Sequence, residues 1–370
     1  MLIFNCMKFY FFIFLAFVLF SCSEKKSKSI VSNAEGVIKY AKNIEIIKNK
    51  DIVLVHLKDP ETNQIEKRFA LIKNNSIVPK GYIKIKTPIT SIIALSSTHI
   101  GMLAKLNLTS IVSGVSSHLY VHDPLILKKY QRGKVVEMGD ENSIPVELII
   151  ASKSNLLMYS GFGNSFPHEE QLENIGINCL ANYDWRETHP LGKAEWIKLF
   201  GYLTGTEKEA NLYFSKVENE YKKLKKIALK VKSKPSLFSG VLVGDSWYSP
   251  AGKSFNAVLF KDANCKYIYA KTKGTGSIDK SFEQMLKDNR STEYWFNPGV
   301  VSKKELLNIQ HKFSNFQAFK NNKVYSYSYS GNEFWERSAI EPNHVLSDLI
   351  HILHPEIKNK RNYYFYRQLK

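Results

Sequence analysis

The chain has 370 residues, 44% of them hydrophobic and 23% charged, which is enough apolar content to bury two lobes of ordinary size and excludes collagen-like or bulk-disordered chains. Lys and Arg number 52 against 34 Asp and Glu, a net charge of +18, but only seven of the 52 are Arg. A Lys excess scattered along the whole chain reads as a solvated surface, and nucleic acid is not an expected partner.

Phe9 to Phe20, FYFFIFLAFVLF, is an apolar run preceded by Lys8 and followed by Ser21, Cys22 and the polar stretch SEKKSKS. It is short for a bilayer span and has the layout of a secretory signal, which places the mature chain outside the cytoplasm. Leu19-Phe20-Ser21-Cys22 resembles a bacterial lipobox, although Phe20 is untypical there. That resemblance implies removal of residues 1–21, acylation of Cys22, and a polar tether over 22–40. The plainer alternative is an ordinary signal with an incidental Cys. Cys179 and Cys265 sit in apolar or mixed stretches that read as core, with no CxxC or Cys/His cluster for zinc, and are not expected to pair.

Strands are expected at Ile52–Leu57, Arg68–Ile72 and Tyr82–Ile85. A buried strand at Ile92–Leu95 then leads into the polar loop Ser96–His99, a helix carrying Ile100, Met102, Leu103 and Leu106, and a strand at Ser110–Val115. Units of this kind favour parallel sheets whose ligands lie beyond the carboxyl ends of the strands. The second half repeats the scheme with a strand at Leu237–Val243, an aromatic loop at Gly244–Lys253 and a helix start at Phe255–Phe260. PVELIIASKSNLLMYSGFG (145–163) and SFEQMLKDNRSTEYWFNPG (281–299) share one order: a helix with an early Glu, a polar break, and a buried strand. Glu147 and Glu283 fall at matching points.

Between the halves, residues 194–232 are nearly all helix-forming. Gly205 is expected to end one helix, and Thr206 with Glu209 to form a capping box for the next, about 25 residues or roughly 37 Å long, with Pro235 beyond it. Leu346–Leu353 forms a final amphipathic helix, and 357–370 reads as a basic, aromatic tail. The fold class is therefore α/β: two Rossmann-like lobes, 41–193 and 233–356, joined by a single long α-helix, with a ligand cleft between the lobes.

ALSSTHIGMLAKL, VELIIASKSNLLM, NYDWRETHPLGKAEWIKLFGYLTG and FWERSAIEPNHVLSDLIHILHPE, in that order, resemble the helical-backbone periplasmic-binding-protein family, the substrate-binding components of ABC importers for siderophores, haem or cobalamin. The resemblance covers about residues 80–355. It implies a monomeric, lipid-anchored protein of the cell envelope that serves a permease and its ATPase, with a metal chelate as cargo and no resident cofactor or protein-held metal. It also implies a carboxylate on each lobe for permease docking. Glu147 and Glu283 fit those places, and a carboxylate in a first turn is stabilised by the helix dipole, so simple capping is the alternative.

Loops beyond the strands are rich in aromatic and small polar residues, which suits a bulky planar or chelated ligand held without covalent chemistry. Lobe one supplies Thr98, His99, Tyr120, Tyr159, Phe162, Tyr183 and Trp185. Lobe two supplies Trp247, Tyr248, Thr275, Ser277, Trp295 and Trp335, with Tyr327 and Tyr329 near in sequence. Arg186 either grips a carboxylate or catecholate oxygen or pairs with Glu187 or Asp184. A haem ligand through an axial Tyr or His stays open. An enzyme is disfavoured, since GxSxG, a Walker loop, HExxH and the Rossmann fingerprint are all missing from the sequence. The iron-chelate carrier competes with cobalamin or haem carriage in the same role and with a surface lipoprotein that binds protein or glycan.

Overall fold

The computed structural model describes residues 35–49, 52–73, 76–161, 165–329, 333–357 and 362–370. The signal segment, Cys22 and Phe162 lie outside the described residues.

The chain opens with a sheet of β1 (Glu35–Gly36), β2 (Ile44–Asn49), β3 (Ile52–Lys58), β4 (Ile65–Ile72) and β5 (Ile83–Lys86), hydrogen-bonded in that order. β2, β3 and β4 form an antiparallel meander, and β5 runs parallel to β4. The β-branched, alternating sequence buries Ile44, Ile46, Val55 and Leu57 on the main core, while Leu54, Ala70 and Ile72 make a small core on the opposite face. The three expected strands are therefore real, but they build a separate layer ahead of lobe one. The expected tether also ends early, because Glu35–Gly36 pairs with β2.

Lobe one alternates β6 (Ile92–Ala94), α1 (Ser97–Lys105), β7 (Val112–Val115), α2 (Pro124–Gln131), β8 (Val136–Glu137), α3 (Val146–Ala151), β9 (Leu156–Tyr159), α4 (Glu169–Asn174) and β10 (Asn178–Ala181). Its sheet is parallel throughout, in the order β10-β9-β6-β7-β8. Ser96 to His99 is not a loop: the Ser96 hydroxyl accepts the Thr98 N–H at 3.3 Å and starts α1, so Thr98 and His99 occupy its first turn.

The connection consists of α5 (Pro190–Glu195), α6 (Ile197–Thr204) and α7 (Glu207–Ala228). Gly205 ends α6 in the left-handed conformation (φ 75°), as expected. The capping box does not form, since the Thr206 hydroxyl bonds that of Thr204 at 2.8 Å instead of capping α7. The 22 residues of α7 span about 33 Å and bury Ala210, Phe214, Val217, Tyr221 and Ala228 along one stripe.

Lobe two comprises β11 (Ser236–Ser239), β12 (Val241–Val243), β13 (Ser246–Pro250), α8 (Phe255–Asp262), β14 (Lys266–Tyr267), β15 (Ser277–Ser281), α9 (Phe282–Asn289), β16 (Tyr294–Phe296), α10 (Lys303–Ile309), α11 (Gln317–Lys320) and β17 (Val324–Ser326). It closes with α12 (Phe334–Arg337), α13 (Pro342–Leu353) and β18 (Arg367–Gln368). One sheet runs β14-β11-β16-β17-β18, and a second, antiparallel, runs β12-β13-β15. The expected strand Leu237–Val243 is split at Gly240. Its φ of 128° and the carbonyl of Tyr248, 2.1 Å from where a Cβ would stand, admit only glycine as the chain crosses between sheets. Gly244–Lys253 is correspondingly a β-hairpin arm, not a loop. The expected tail is also docked: Asp348 accepts the N–H groups of Tyr364, Phe365 and Tyr366 at 2.7 to 3.2 Å, and β18 pairs with β17.

The lobes touch directly as well as through α7. The α12 backbone lies against α1 at Gly101, and Glu336 on α12 accepts the His122 N–H of lobe one at 2.6 Å. Lys105 of α1 and Arg337 of α12 both pair with Glu341, each at 2.7 Å.

Candidate functional site

The ends of α1 and α5, the start of α8 and the segment around α12 converge between the lobes on a chamber of about 100 Å³. Phe255, Leu259, Phe334 and Trp335 line it, with Thr98, Lys193 and Asn256 as polar points. Phe334 stacks on Tyr327 at 3.7 Å and 3°, and Trp335 stands edge-on to both, itself 64% exposed. The Lys193 ammonium lies 4.0 Å from the Phe255 ring centre, and burial pulls its pKa down. Thr98 donates to Asp184 at 3.3 Å; burial pushes that carboxyl up to about 6, with Lys193 pulling the other way.

A second chamber, of about 420 Å³, shares Phe255 and Asn256 and adds Trp185, Arg186, Thr275 and Ser277. The Trp185 indole donates to the Ser160 carbonyl at 2.7 Å, and the Arg186 guanidinium packs over that indole, 5.1 Å from its centre. Arg186 pairs with Glu61 on the β3–β4 turn, and not with Glu187 or Asp184 as the local sequence offered. Glu187 is engaged elsewhere: it is buried and accepts the N–H groups of Lys42 and Asn43 and of the Trp196 indole.

The structure thus brings Thr98 and Trp335 together in one chamber and Trp185, Arg186, Thr275 and Ser277 in the next. Tyr183 lines a further space beside Arg186, its hydroxyl donating to Glu66 at 2.6 Å. Four sequence-based assignments need correction, because His99, Tyr159, Trp247 and Trp295 are at most 2% exposed. The two tryptophans pack with Phe238, Phe313 and Phe316 and donate to Ser249 and the Gly240 carbonyl, so they form the heart of lobe two. Tyr120 and Tyr248 are exposed but line none of these chambers, and Tyr329 lies under the Arg367 guanidinium. Phe255, Phe334, Lys193 and Glu61 escaped the sequence reading. Lys193 and Phe334 were legible only as members of longer runs, and Glu61 belongs to a sheet that the two-lobe scheme did not separate.

His99 has a consequence for acid stability. Its ring is fully buried near Phe200, both nitrogens lack a partner among the described residues, and burial pulls its pKa down to about 3 from an ordinary 6.5. The unfolded chain takes up this proton below pH 6.5 while the fold refuses it. The contribution is complete above pH 6.5 and is lost as pH falls toward 3, at about 1.4 kcal/mol per unit of pKa separation. Asp184, Glu336 and Asp348, raised by burial, act with the opposite sign. The difference between wild type and His99→Leu therefore isolates the effect: urea unfolding at pH 7 and pH 4.5 should show a smaller acid loss in the variant, and equal losses would refute this.

Residues 92–329 match the family described as periplasmic binding protein. The chain belongs to that family. An uncharacterized lipoprotein of Methanocaldococcus jannaschii is 26% identical over 364 residues, covering 90% of this chain and 86% of its own. Among solved structures, the chain is similar to a possible iron-binding periplasmic solute-binding protein from Staphylococcus epidermidis (TM-score 0.57, 19% identity, covering 72% of this chain and 100% of that one). It is also similar to the periplasmic vitamin B12 binding protein of Vibrio cholerae (0.55, 15%, 74% and 99%) and to the periplasmic heme binding protein of the same organism (0.57, 13%, 71% and 99%). These likenesses establish the shared two-lobed α/β fold. The family match begins after β5, so the sheet of residues 35–86 precedes it. Among the described residues no helix is long and apolar enough to cross a membrane.

Proposed function

We propose that this chain is the lipid-anchored solute-binding component of an ABC importer, capturing an iron chelate, a ferric siderophore, and delivering it to a permease and its ATPase. The observation that carries the reading is the interlobe chamber, walled by Phe255, Phe334 and Trp335 and continuous through shared lining residues with a polar space holding Arg186. Aromatic walls give a rigid, low-entropy contact surface beside a polar, open space, which suits a ligand with a planar or apolar body and an anionic edge. Haem or cobalamin is the alternative cargo in the same role, in line with the names of the similar structures.

The exposed Trp335 supplies the test. Intrinsic fluorescence should change on titration with ferric siderophores, haem or cobalamin, and Trp335→Ala should weaken the bound ligand by about tenfold or more, as removal of a well-packed aromatic anchor does. Unchanged affinity would remove Trp335, and with it this chamber, from the site.

For delivery, Glu147 and Glu283 stand exposed in the first turns of α3 and α9, with no hydrogen bond or ion pair among the described residues. Exposed charges on separate lobes steer and register a partner. A Glu147→Ala, Glu283→Ala double variant should keep its ligand affinity and lose uptake of the labelled ligand by cells. Normal uptake would sink the docking assignment, and lost ligand binding would make these carboxylates part of the fold or cleft.

A further inference from the structure

The Glu61–Arg186 pair borders three spaces at once: the 420 Å³ chamber facing lobe two, a 330 Å³ space beside Tyr183, and a 620 Å³ space lined also by Lys42 and Lys58. No other pair of residues is common to all three linings among the described residues. Arg186 comes from lobe one, whereas Glu61 comes from the sheet that precedes the family match. We propose that this N-terminal sheet is a working part of the ligand site: Glu61 holds the Arg186 guanidinium until a ligand arrives and is exchanged for an anionic oxygen, a carboxylate or catecholate, of that ligand.

The turn is built to present Glu61. Asp59 accepts the N–H groups of Glu61 and Thr62 and the Thr62 hydroxyl at 2.6 to 3.0 Å, which fixes the backbone and leaves the Glu61 side chain 75% exposed. The sheet carrying it is fastened to the lobe. Glu195 accepts the N–H groups of Lys39, Tyr40 and Ala41, Glu187 those of Lys42 and Asn43, and Tyr183 bonds Glu66. Glu66 and Glu187 are thereby engaged, so the carboxylate that holds Arg186 is the one free to swing outward. An exposed ion pair is weak and exchanges readily.

Arg186 keeps its place when Glu61 leaves, because its guanidinium rests on the Trp185 ring and that ring is held by the Ser160 carbonyl. With Glu61 turned away, Lys42, Lys58 and Arg186 outnumber the one carboxylate left in the lining of the largest space, Glu187, which is already engaged by the Lys42 and Asn43 N–H groups, so that space then favours an anion.

This inference rests on the cleft being the ligand site but not on the cargo being iron-bound, so its test uses citrate as a polycarboxylate probe. Calorimetric titration of the full chain at low salt should show Glu61→Gln binding citrate about fivefold more tightly than wild type, the ratio set by loss of one exposed ion pair. Arg186→Gln should abolish the binding, and the Glu61→Gln gain should shrink in 0.5 M salt. Equal or weaker binding by Glu61→Gln, or no citrate binding by it at all, would overturn the exchange. A protein that shows the citrate gain but binds no chelate, haem or cobalamin would sink the transport reading alone. One that binds a chelate while Glu61→Gln changes nothing would sink the exchange alone.

Discussion

Gly101→Ala should lower the melting temperature, although alanine is the better helix former. Gly101 lies within α1, where the propensity scale alone gives alanine an advantage of about 1 kcal/mol. A Cβ at this position would stand 1.8 Å from the Glu336 carbonyl oxygen and 2.8 Å from its carbon. Both are backbone atoms, so no rotamer change relieves the overlap, and α12 must move away from α1. That movement also strains the Glu336 bond to the His122 N–H and the Lys105–Glu341–Arg337 cluster. Overpacking of this kind costs about 1–3 kcal/mol, equivalent to roughly 1 °C of melting temperature per kcal/mol for a chain of 370 residues. The sign decides the matter. A scanning-calorimetry gain in the alanine variant would mean that the lobes do not meet along this line.

Glu195→Ala should do more damage, and in a different place. Glu195 is fully buried at the end of α5, where its two oxygens accept three successive backbone N–H groups, from Lys39, Tyr40 and Ala41, and pair with Lys198 at 2.7 Å. Removing one partner of a buried ion pair strands the other, at about 3–5 kcal/mol. The three N–H groups lose their acceptor as well. Hydrogen exchange should therefore quicken sharply at residues 39–43 and in β1 and β2, with little change in the parallel sheet of lobe two. Glu195→Gln, which keeps an acceptor oxygen, should fall between. Uniform protection across the variants would show that the N-terminal sheet is held by its apolar face alone.

Much of the architecture was legible because its signals are local. The alternation of buried strands with amphipathic helices, the repeat that aligns Glu147 with Glu283, and Gly205 all depend on period or on one conformational demand, and each has its counterpart in the structure. What failed depended on three-dimensional pairing. Gly240 splits one apolar run between two sheets, so Trp247 sits on β13 and turns into the core where a loop would have exposed it, while Trp295 lies mid-strand on β16, paired with Phe238 of β11, rather than beyond the strand's end. The Lys- and Arg-bearing C-terminus reads as a tail until Asp348 supplies three hydrogen bonds from another element. Arg186 offered two acidic neighbours in sequence, and it chose a third, 125 positions away, because both neighbours are engaged in the interior. The site follows the same rule: aromatic composition marks candidates, but whether Trp335 or Trp247 faces solvent is set by register and sheet membership, which composition does not carry.

The central claim is that the cleft holds a metal chelate in the living cell. Native mass spectrometry of the full chain, purified gently from its own envelope without chelators, addresses it most directly. The predicted result is a second mass series, above the bare protein by the mass of an iron chelate, haem or a corrinoid, that disappears on unfolding and is depleted in Trp335→Ala. A spectrum holding a peptide or glycan adduct in the cleft, or a metal-chelate adduct that persists undiminished in Trp335→Ala, would contradict it.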